Sequence, residues 1–288
     1  MSAAGPDLAR RRLLRALAVS AVVTGCASPA SRPAGRAGPV PASPPSWVLA
    51  RQALAQVTAD RAIAAGLAKT RVYELVQPGQ QPLALAGALP AVAFSAASEL
   101  VSAVRGGGLP ARTQAVLYDP EAWSFTPPAE QGDPVSAAAA AAAAAHAAGL
   151  QLIVAPALNL TTVLAPGSRA PRSQLFLELG LAERLARHAD VLEFQAQSLE
   201  RDTDQYASFV AAAARQARRV SPRIGLLAGV STNPPGAEVS SSQVVAAMQA
   251  SRDHVDGFWL NIPGPGPRCP TCNPIRPDIG ITALLAVL

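Results

Sequence analysis

The amino-acid sequence predicts an α/β domain in which parallel strands and helices form a (β/α)8-type barrel. Short apolar runs alternate with helical patterns from residue 47 onward, as expected for parallel strands joined by crossover helices. Half of the 288 residues are hydrophobic, which is enough to bury one large core. Polar residues gather after several apolar runs, where a barrel keeps its binding and catalytic groups.

The predicted elements follow one another in a regular order. Leu49, Leu54, Val57 and Ile63 recur at helical spacing and predict a helix over residues 47–69. Seven strands are then predicted at residues 71–77, 91–95, 114–118, 150–155, 190–196, 223–229 and 255–262. Helices are predicted between them at residues 98–105, 126–149, 174–187, 204–219 and 240–251.

The position of an eighth strand is left open by this count. It lies in the loosely patterned residues 80–89 or near the C-terminus, or else the barrel is incomplete. A doubly wound parallel sheet is the alternative architecture. In every case residues 47–288 are expected to form one domain.

Residues 1–25 show the three regions of an export signal in order. Four arginines lie in residues 10–15, an apolar run covers residues 16–23, and small residues precede Cys26. The run is far shorter than the roughly 20 residues that a membrane-spanning helix needs. The pattern resembles the bacterial lipoprotein signal, which implies a lipid on Cys26. The protein would then be exported and anchored on the outer face of the cytoplasmic membrane, or be periplasmic.

The export route and the partners follow from the same region. Arg11 and Arg12 also resemble a twin-arginine signal, so the route stays open. Residues 26–46 are rich in Pro, Ala, Ser and Gly and predict a tether. The formal charge of +5 falls to +2 without residues 1–25, which hold four arginines and one aspartate. Since no nucleic-acid-binding motif occurs either, a nucleic-acid partner is not expected.

Cys269 and Cys272 form an even pair in a Pro- and Gly-rich loop, once Cys26 is assigned to the lipid. A redox-active pair would open a helix after a strand, and a zinc site would need two further ligands that this loop does not offer. A structural disulfide in an oxidising compartment is therefore predicted. No cofactor and no metal are expected.

Polar and aromatic residues follow most predicted strands and should meet at one end of the barrel. Glu193, Gln195 and Gln197 alternate with apolar residues, so three polar side chains share one face of a strand that would otherwise be buried. A satisfied internal hydrogen-bond network is the alternative to ligand contacts. The further candidates at this end are Glu74, Tyr118, Asp119, Glu121, Trp123, Asn159, Asn233, Trp259 and Asn261.

Asp119 and Glu121 give the strongest chemical signal. They follow the apolar run 115–118 and are two residues apart, so an extended backbone projects both to the same side. Two carboxyl groups that lie close together raise one pKa, which keeps an acid protonated near neutral pH. Paired acids beside an aromatic such as Trp123 are what glycoside hydrolysis requires. The alternatives are a turn role for Asp119, simple packing for Trp123, and a divalent cation held by the two acids.

The stretch from Tyr118 to Trp123 resembles the Asp-x-Glu end of a strand motif in glycoside hydrolase family 18. The resemblance implies that Glu121 is the general acid and that Asp119 is its partner, which orients a substrate N-acetyl group. Two further aspartates of the family's motif correspond here to Leu117 and Gln114. The motif ends the fourth strand in that family, whereas the count above makes this strand the third.

Two functions are therefore expected. The first is an exported, lipid-anchored, glycosidase-like protein acting on a polysaccharide or glycan, with Glu121 as acid and Asp119 or Glu193 as second carboxylate. The second is a non-catalytic lipoprotein that binds a carbohydrate or another small molecule in the same cleft. The side chains expected to hold the ligand are Glu74, Tyr118, Trp123, Gln195, Gln197, Asn233, Trp259 and Asn261. No oligomeric state is predicted.

Overall fold

The structure, a computed structural model, describes residues 45–77, 79–83, 85–234 and 238–288. The predictions for the export signal, for the lipid on Cys26 and for the tether up to residue 44 lie outside these residues. Within the described ranges, no helix is long and apolar enough to cross a membrane.

Eight parallel strands close into a barrel in chain order, each paired with the next and the last paired with the first. This confirms the predicted (β/α)8-type barrel, and the open-sheet and incomplete-barrel alternatives are wrong. The strands are β1 (Ser46–Ala50), β2 (Val72–Val76), β3 (Ala88–Phe94), β4 (Ala115–Tyr118), β5 (Gln151–Val154), β6 (Val191–Phe194), β7 (Gly225–Ser231) and β8 (Gly257–Asn261).

Helices connect most of the strands and surround the barrel. They are α1 (Arg51–Val57), α2 (Arg61–Leu67), α3 (Ala97–Arg105), α4 (Pro128–Gly132), α5 (Pro134–Ala147), α6 (Thr161–Leu164), α7 (Arg172–Glu178), α8 (Leu181–Ala186), α9 (Thr203–Val220), α10 (Ser241–Ser251) and α11 (Pro277–Val287). Two short 3₁₀ helices cover Leu158–Leu160 and Gln197–Leu199. The described residues between β2 and β3 form no helix.

The eighth strand is β1, the first element of the barrel, so both predicted positions for it are wrong. Its five residues run directly into α1 at Arg51 without an intervening loop. Trp47 and Leu49 of the strand therefore join Leu54 of the helix in one run of apolar residues at roughly helical spacing. The single helix predicted over residues 47–69 is wrong for this reason, since strand and helix merge into one helical pattern.

β1 closes the barrel between β2 and β8. Trp47 is in register with Val72 of β2 and with Phe258 of β8, and the Trp47 and Phe258 ring centroids are 5.9 Å apart. The backbones of β1 and β8 approach so closely that a Cβ on Gly257 would overlap the carbonyl oxygen of Ser46. Glycine is therefore required at this point of the closure.

Alternate residues of each strand face two different apolar layers. Val48, Tyr73, Leu117, Leu227 and Trp259 are among the residues that fill the barrel interior. The intervening strand residues pack against the helices in a larger outer core. The position of a residue in its strand therefore decides whether its side chain points into the barrel or toward the helices.

Candidate active site

The loop after β4 carries the two acids, and backbone pairing fixes it to the neighbouring strands. The N–H of Asp119 donates to the Phe94 carbonyl at 2.9 Å, and the N–H of Ala157 donates to the Pro120 carbonyl at 3.1 Å. β4 is the fourth strand of the barrel, because β1 precedes the strands counted from the sequence. The acids thus follow the fourth strand, and not the third as counted from the sequence.

Thr126 holds the rest of this loop together. Its hydroxyl accepts hydrogen bonds from the Glu121 backbone N–H at 3.2 Å and the Trp123 indole N–H at 3.0 Å, and donates to the Ser95 carbonyl at 3.0 Å. Gln131 Nε2 donates to the carbonyl oxygens of Trp123 and Thr126 at 2.8 and 2.7 Å. The sequence analysis missed Thr126 and Gln131, because no spacing pattern reveals that the loop folds back on itself.

Asp119 is 7% exposed, at the carboxyl end of the barrel interior. Gln195 Nε2 donates to its carboxylate and also to the Ala155 carbonyl, the latter at 2.7 Å. Burial raises the pKa of Asp119 well above its usual value, and the charge of Glu121 raises it further, while Arg268 and Gln195 oppose the rise. Asp119 and Gln195, which were predicted to share one site, are therefore in direct contact.

Glu121 is only partly buried, so a ligand can reach it. Asn159 Nδ2 donates to the Glu121 carboxylate at 3.2 Å, and Asn159 Oδ1 accepts from the Ala122 N–H at 2.9 Å. Burial raises the pKa of Glu121, and the Asn159 hydrogen bond and the Arg268 charge oppose this. An accessible carboxyl group with a raised pKa has the properties of a general acid.

Glu193 is fully buried in the barrel interior. Neither of its carboxyl oxygens has a hydrogen-bond partner in the part of the chain that the structure describes. Burial raises the pKa of Glu193 well above its usual value, and the charges of Asp119 and Glu121 raise it further. A carboxyl group without donors in such surroundings favours its neutral form, because nothing offsets the cost of desolvating the charge.

Gly229 of β7 has no side chain and so leaves room for the carboxyl group of Glu193. A Cβ at this position would overlap Glu193 Oε1 and would lie 2.8 Å from Gln197 Nε2. Trp259 is the register partner of Gly229 on β8 and also faces the interior. Glu193, Gln197 and Trp259, three of the predicted site residues, are thus gathered around one glycine.

Arg268 is a site residue that the sequence analysis missed. Its guanidinium lies 5.7 Å from the Trp123 ring centroid and 5.6 Å from that of Phe125, and the two rings pack edge to face. A disulfide joins Cys269 and Cys272, whose Cα atoms are 5.4 Å apart, directly after it. The loop that follows β8 therefore places a cation next to the acids that follow β4. Its chain separation from those acids explains why no local pattern indicated it.

Two predicted site residues lie on the other side of their strands. Glu74 is fully buried among the outer-facing residues of β2 and accepts a hydrogen bond from the Leu83 N–H at 2.6 Å. Tyr118 belongs to the outer core and donates to Glu130 at 3.2 Å. The structure does not bring these two side chains to the acids. Strands buried on both faces give no sequence signal for which residues face inward.

Asn233 and Asn261 lie at the ends of β7 and β8. The N–H of Thr232 donates to the Asn261 carbonyl at 2.9 Å, and the N–H of Asn233 donates to the Ser231 hydroxyl at 3.1 Å. Both asparagines are partly buried. They therefore lie at the same end of the barrel as the acids.

Glu200 is a further buried acid that the sequence analysis missed. It is fully buried after β6, and its Oε2 accepts a hydrogen bond from the Ser231 N–H at 2.9 Å. Burial raises its pKa well above the usual value, and the Ser231 hydrogen bond opposes this. Tyr206 packs nearby and donates to the Gly229 carbonyl at 3.0 Å. Glu200 thus supports the end of β7 behind the site.

A divalent cation held by Asp119 and Glu121 is the alternative to an acid pair. Among the described residues, no three or more His, Cys, Asp or Glu side chains are grouped so that they could hold a metal ion. Asp119 and Glu121 supply two carboxyl groups, and their remaining contacts are with the amide donors of Gln195 and Asn159.

The chain was compared with known proteins. No protein-family model matches it, and no curated protein matches its sequence. Solved structures with a similar fold include a chitinase from Chromobacterium violaceum ATCC 12472, with 12% identity, a TM-score of 0.48, and coverage of 84% of this chain and 98% of that one. A triosephosphate isomerase from Bartonella henselae has 14% identity, a TM-score of 0.44, and coverage of 75% and 92%. The N-terminal domain of a putative aldolase from Bacteroides vulgatus has 8% identity, a TM-score of 0.45, and coverage of 84% and 85%.

These likenesses are too distant to assign an activity. The fold class is established by the strand order of the chain itself. The acids after β4 lie at the end of the strands where barrels of this class carry their active sites.

The first prediction concerns the space at Gly229. The substitution Gly229→Ala should destabilise the protein by roughly 1–3 kcal/mol, because the added methyl group overpacks against Glu193 and Gln197. Gly225→Ala in the same strand is the matched control, since its Cβ would meet Val191 Cγ2 at 3.2 Å, a contact that needs only a small shift. Denaturant unfolding measures both. The double variant Gly229→Ala, Glu193→Ala should lose less unfolding free energy than the sum of the two single variants, because the shorter side chain removes the overlap. If the two losses simply add, the proposed overlap with Glu193 is contradicted.

The second prediction concerns the pH dependence of stability. The folded-state pKa of Glu193 is raised, so above the ordinary glutamate pKa of about 4.3 the native state holds a proton that the unfolded chain releases. Stability should therefore fall as pH rises through this window, by at most about 1.4 kcal/mol per pH unit for this group. Glu193→Gln should remove that contribution.

The measurement for Glu193→Gln is the unfolding free energy at a series of pH values. The variant should gain stability relative to the wild type as pH rises above about 4.3. Glu99→Gln, at an exposed position on α3, is the control and should follow the wild-type profile. Parallel profiles for wild type and Glu193→Gln would show that Glu193 is not desolvated.

The third prediction concerns Arg268. Its charge lowers the pKa values of Asp119 and Glu121, so Arg268→Gln should raise both, whereas Arg268→Lys should retain most of the wild-type values. Carboxyl ¹³C chemical shifts followed by pH titration measure the change. Arg276→Gln, which removes a cation from the same connection, should leave both titrations unchanged. If it shifts them as strongly as Arg268→Gln does, the effect is one of overall charge and not of position.

Proposed function

We propose that the protein is a glycoside hydrolase-like enzyme that acts on a polysaccharide or glycan at the carboxyl end of the barrel. The observation that carries this proposal is the pair of acids after β4. Asp119 is buried, while Glu121 is accessible, held by Asn159 and raised in pKa. Acid pairs whose environments differ in this way divide the roles of acid and base in glycoside hydrolysis.

Glu121 would donate its proton to the glycosidic oxygen as the bond to the leaving sugar breaks. Asn159 holds one carboxylate oxygen and thereby fixes the direction of the carboxyl group. After the transfer Glu121 is an anion, and the guanidinium of Arg268 stabilises it. Trp123 and Phe125 offer ring surfaces beside Glu121, and Phe125 is 40% exposed. Aromatic surfaces of this kind pack against sugar rings.

The second carboxylate of the proposed reaction is Asp119. Burial and the charge of Glu121 raise the pKa of Asp119, whereas Arg268 and Gln195 oppose the rise, so Asp119 ionises more easily while Glu121 holds its proton. Asp119 could then act on water or orient a nucleophilic group of the substrate itself. Glu193 lacks donors among the described residues and supports the site as a neutral acid. Gln197, Asn233 and Asn261 are the candidates for holding sugar hydroxyls.

Export and lipid anchoring complete the proposed function. The residue pattern before Cys26 supports both, together with the Pro- and Ala-rich tether that follows. A lipid on Cys26 would keep the barrel at the membrane, and an oxidising compartment would suit the Cys269–Cys272 disulfide.

A non-catalytic sugar-binding protein is the second candidate. The buried interior favours it in one respect, because Glu193 and Asp119 both have strongly raised pKa values and, among the described residues, Arg268 is the one cation that opposes the rise at Asp119. A site of neutral acids and amides binds hydroxyl groups without carrying the charges that hydrolysis needs.

The fourth prediction separates the two candidates. Glu121→Gln should lower the hydrolysis rate about 10²- to 10⁴-fold, the range of general acid catalysis, while glycan affinity changes little. Glu99→Gln is the charge-matched control and should retain full activity. Wild-type kcat should fall as pH rises through the raised pKa of Glu121, since the reaction needs its protonated form.

The assay should use a panel of α- and β-linked oligosaccharides, with and without N-acetyl groups. Binding is measured by calorimetry on the same panel. Wild-type binding without turnover on any substrate would exclude the enzyme and support the binding protein. Equal turnover by wild type and Glu121→Gln would remove Glu121 from the proposed role.

A further inference from the structure

The amino-terminal end of the barrel, where the strands begin, carries basic residues that the proposed reaction does not use. Two depressions of about 600 and 720 Å³ lie at this end and share Ser46, Arg71 and Asp256 in their walls. The charged residues that line them are Lys69, Arg71, Asp190, Arg218, Arg223, Arg252, Asp253 and Asp256. Five of these are basic and three are acidic, so the end has an excess of positive charge.

Two of the three acids at this end form hydrogen bonds and ion pairs within the protein. Asp190 lies 2.9 Å from His146 Nε2 and accepts a hydrogen bond from the Leu152 N–H at 2.8 Å. Asp256 pairs with Arg218 at 3.3 Å and accepts from the Leu226 N–H at 2.8 Å. Asp190 and Asp256 therefore hold the starts of neighbouring strands together. Asp253 is the remaining acid at this end and is exposed, so one carboxylate stands against the four other cations.

Four exposed cations remain, and none of them has an ion-pair partner within the described ranges. They are Lys69, Arg71, Arg223 and Arg252. We refer to these four residues as the basic face. They come from the connections before β2, β7 and β8, so the barrel brings them together on one surface.

The chain that leads to the proposed anchor leaves from this same end. β1 begins at Ser46, and Pro45 and Ser46 line the larger depression. Cys26 precedes Pro45 by 19 residues. A flexible chain of that length spans roughly 25 Å, and a fully extended Pro-rich one about 60 Å. A lipid on Cys26 would therefore hold the amino-terminal end of the barrel, and not its carboxyl end, close to the membrane.

We propose that the basic face docks on the anionic lipid headgroups of the membrane that carries the anchor. The positive face and the negative lipid surface are complementary, and the short tether keeps them within reach of one another. The acids Asp119 and Glu121 lie at the opposite end of the barrel and would face away from the membrane, toward a polymer outside it. The inference rests on the export and anchoring part of the proposed function.

The fifth prediction is measured by sedimentation with lipid vesicles. All variants are made in the full chain with Cys26→Ser, which prevents lipidation, and with the four arginines of residues 10–15 replaced by glutamine. The vesicles are phosphatidylcholine, either alone or with one third phosphatidylglycerol. The substitutions Lys69→Gln, Arg223→Gln and Arg252→Gln together should weaken binding to the anionic vesicles by about fivefold per residue, or roughly a hundredfold in all.

A matched control removes three cations from the other end of the barrel. Arg169→Gln, Arg172→Gln and Arg201→Gln together change the net charge equally, and all three positions are exposed. This variant should bind anionic vesicles as the parent chain does. Binding of the parent to phosphatidylcholine alone should be weak, and raised salt should abolish binding to the anionic vesicles.

Three results would overturn the proposal. They are an equal loss of binding in the two triple variants, no loss in the basic-face variant, and equal binding of the parent chain to neutral and anionic vesicles. The basic-face variant should also hydrolyse or bind a soluble glycan as the wild type does, because its substitutions lie far from the acids. If Glu121→Gln does not lower hydrolysis, the vesicle experiment still tests the basic face. If the basic-face variant binds vesicles as the parent does, the Glu121 experiment still tests the proposed reaction.

Discussion

Closure of the barrel by β1 is the constraint on which the rest of the structure depends. Without β1, strands β2 and β8 would be open edges, and the barrel interior would be exposed to water. With it, the inward-facing side chains of eight strands enclose one space, in which Glu193 and Asp119 are buried. Two glycines make this possible. Gly257 lets β1 and β8 approach each other, and Gly229 leaves room for the carboxyl group of Glu193.

The enclosed interior in turn sets the electrostatics of the site. Three carboxyl groups at one barrel end would repel one another if all were ionised, and burial adds a desolvation cost to each charge. Among the described residues, Arg268 in the loop after β8 is the cation whose charge acts on Asp119 and Glu121. That loop is closed by the Cys269–Cys272 disulfide and packs its guanidinium on Trp123 and Phe125. The loop after β8 thus supplies the positive charge that acts on the two acids in the loop after β4.

The sequence predicted seven strands well, because a buried parallel strand is a short apolar run between polar residues. It could not separate β1 from α1, since no turn residue lies between them. Within the site, the alternation of Glu193 and Gln195 with apolar residues correctly placed both on the inward face. The same reasoning did not place Tyr118, because its strand is apolar on both sides and shows no alternation. Arg268 could not be predicted at all, because only the closed barrel brings its loop to the acids.

The surroundings of the three acids differ from one another. Asp119 has the amide of Gln195 and the charge of Arg268, so its anion is stabilised by two groups although it is buried. Glu121 has the amide of Asn159, the charge of Arg268 and access to solvent. Glu193 has only repulsion from the other two and no donor among the described residues. A charge on either Asp119 or Glu121 raises the cost of ionising the other, so the pair favours a state that keeps one proton. Asp119 is buried and Glu121 is reached by solvent, so the two acids are not equivalent. The proposed reaction needs this difference in environment. In identical surroundings the two carboxyl groups would have the same pKa, and neither would be favoured as the acid or as the base.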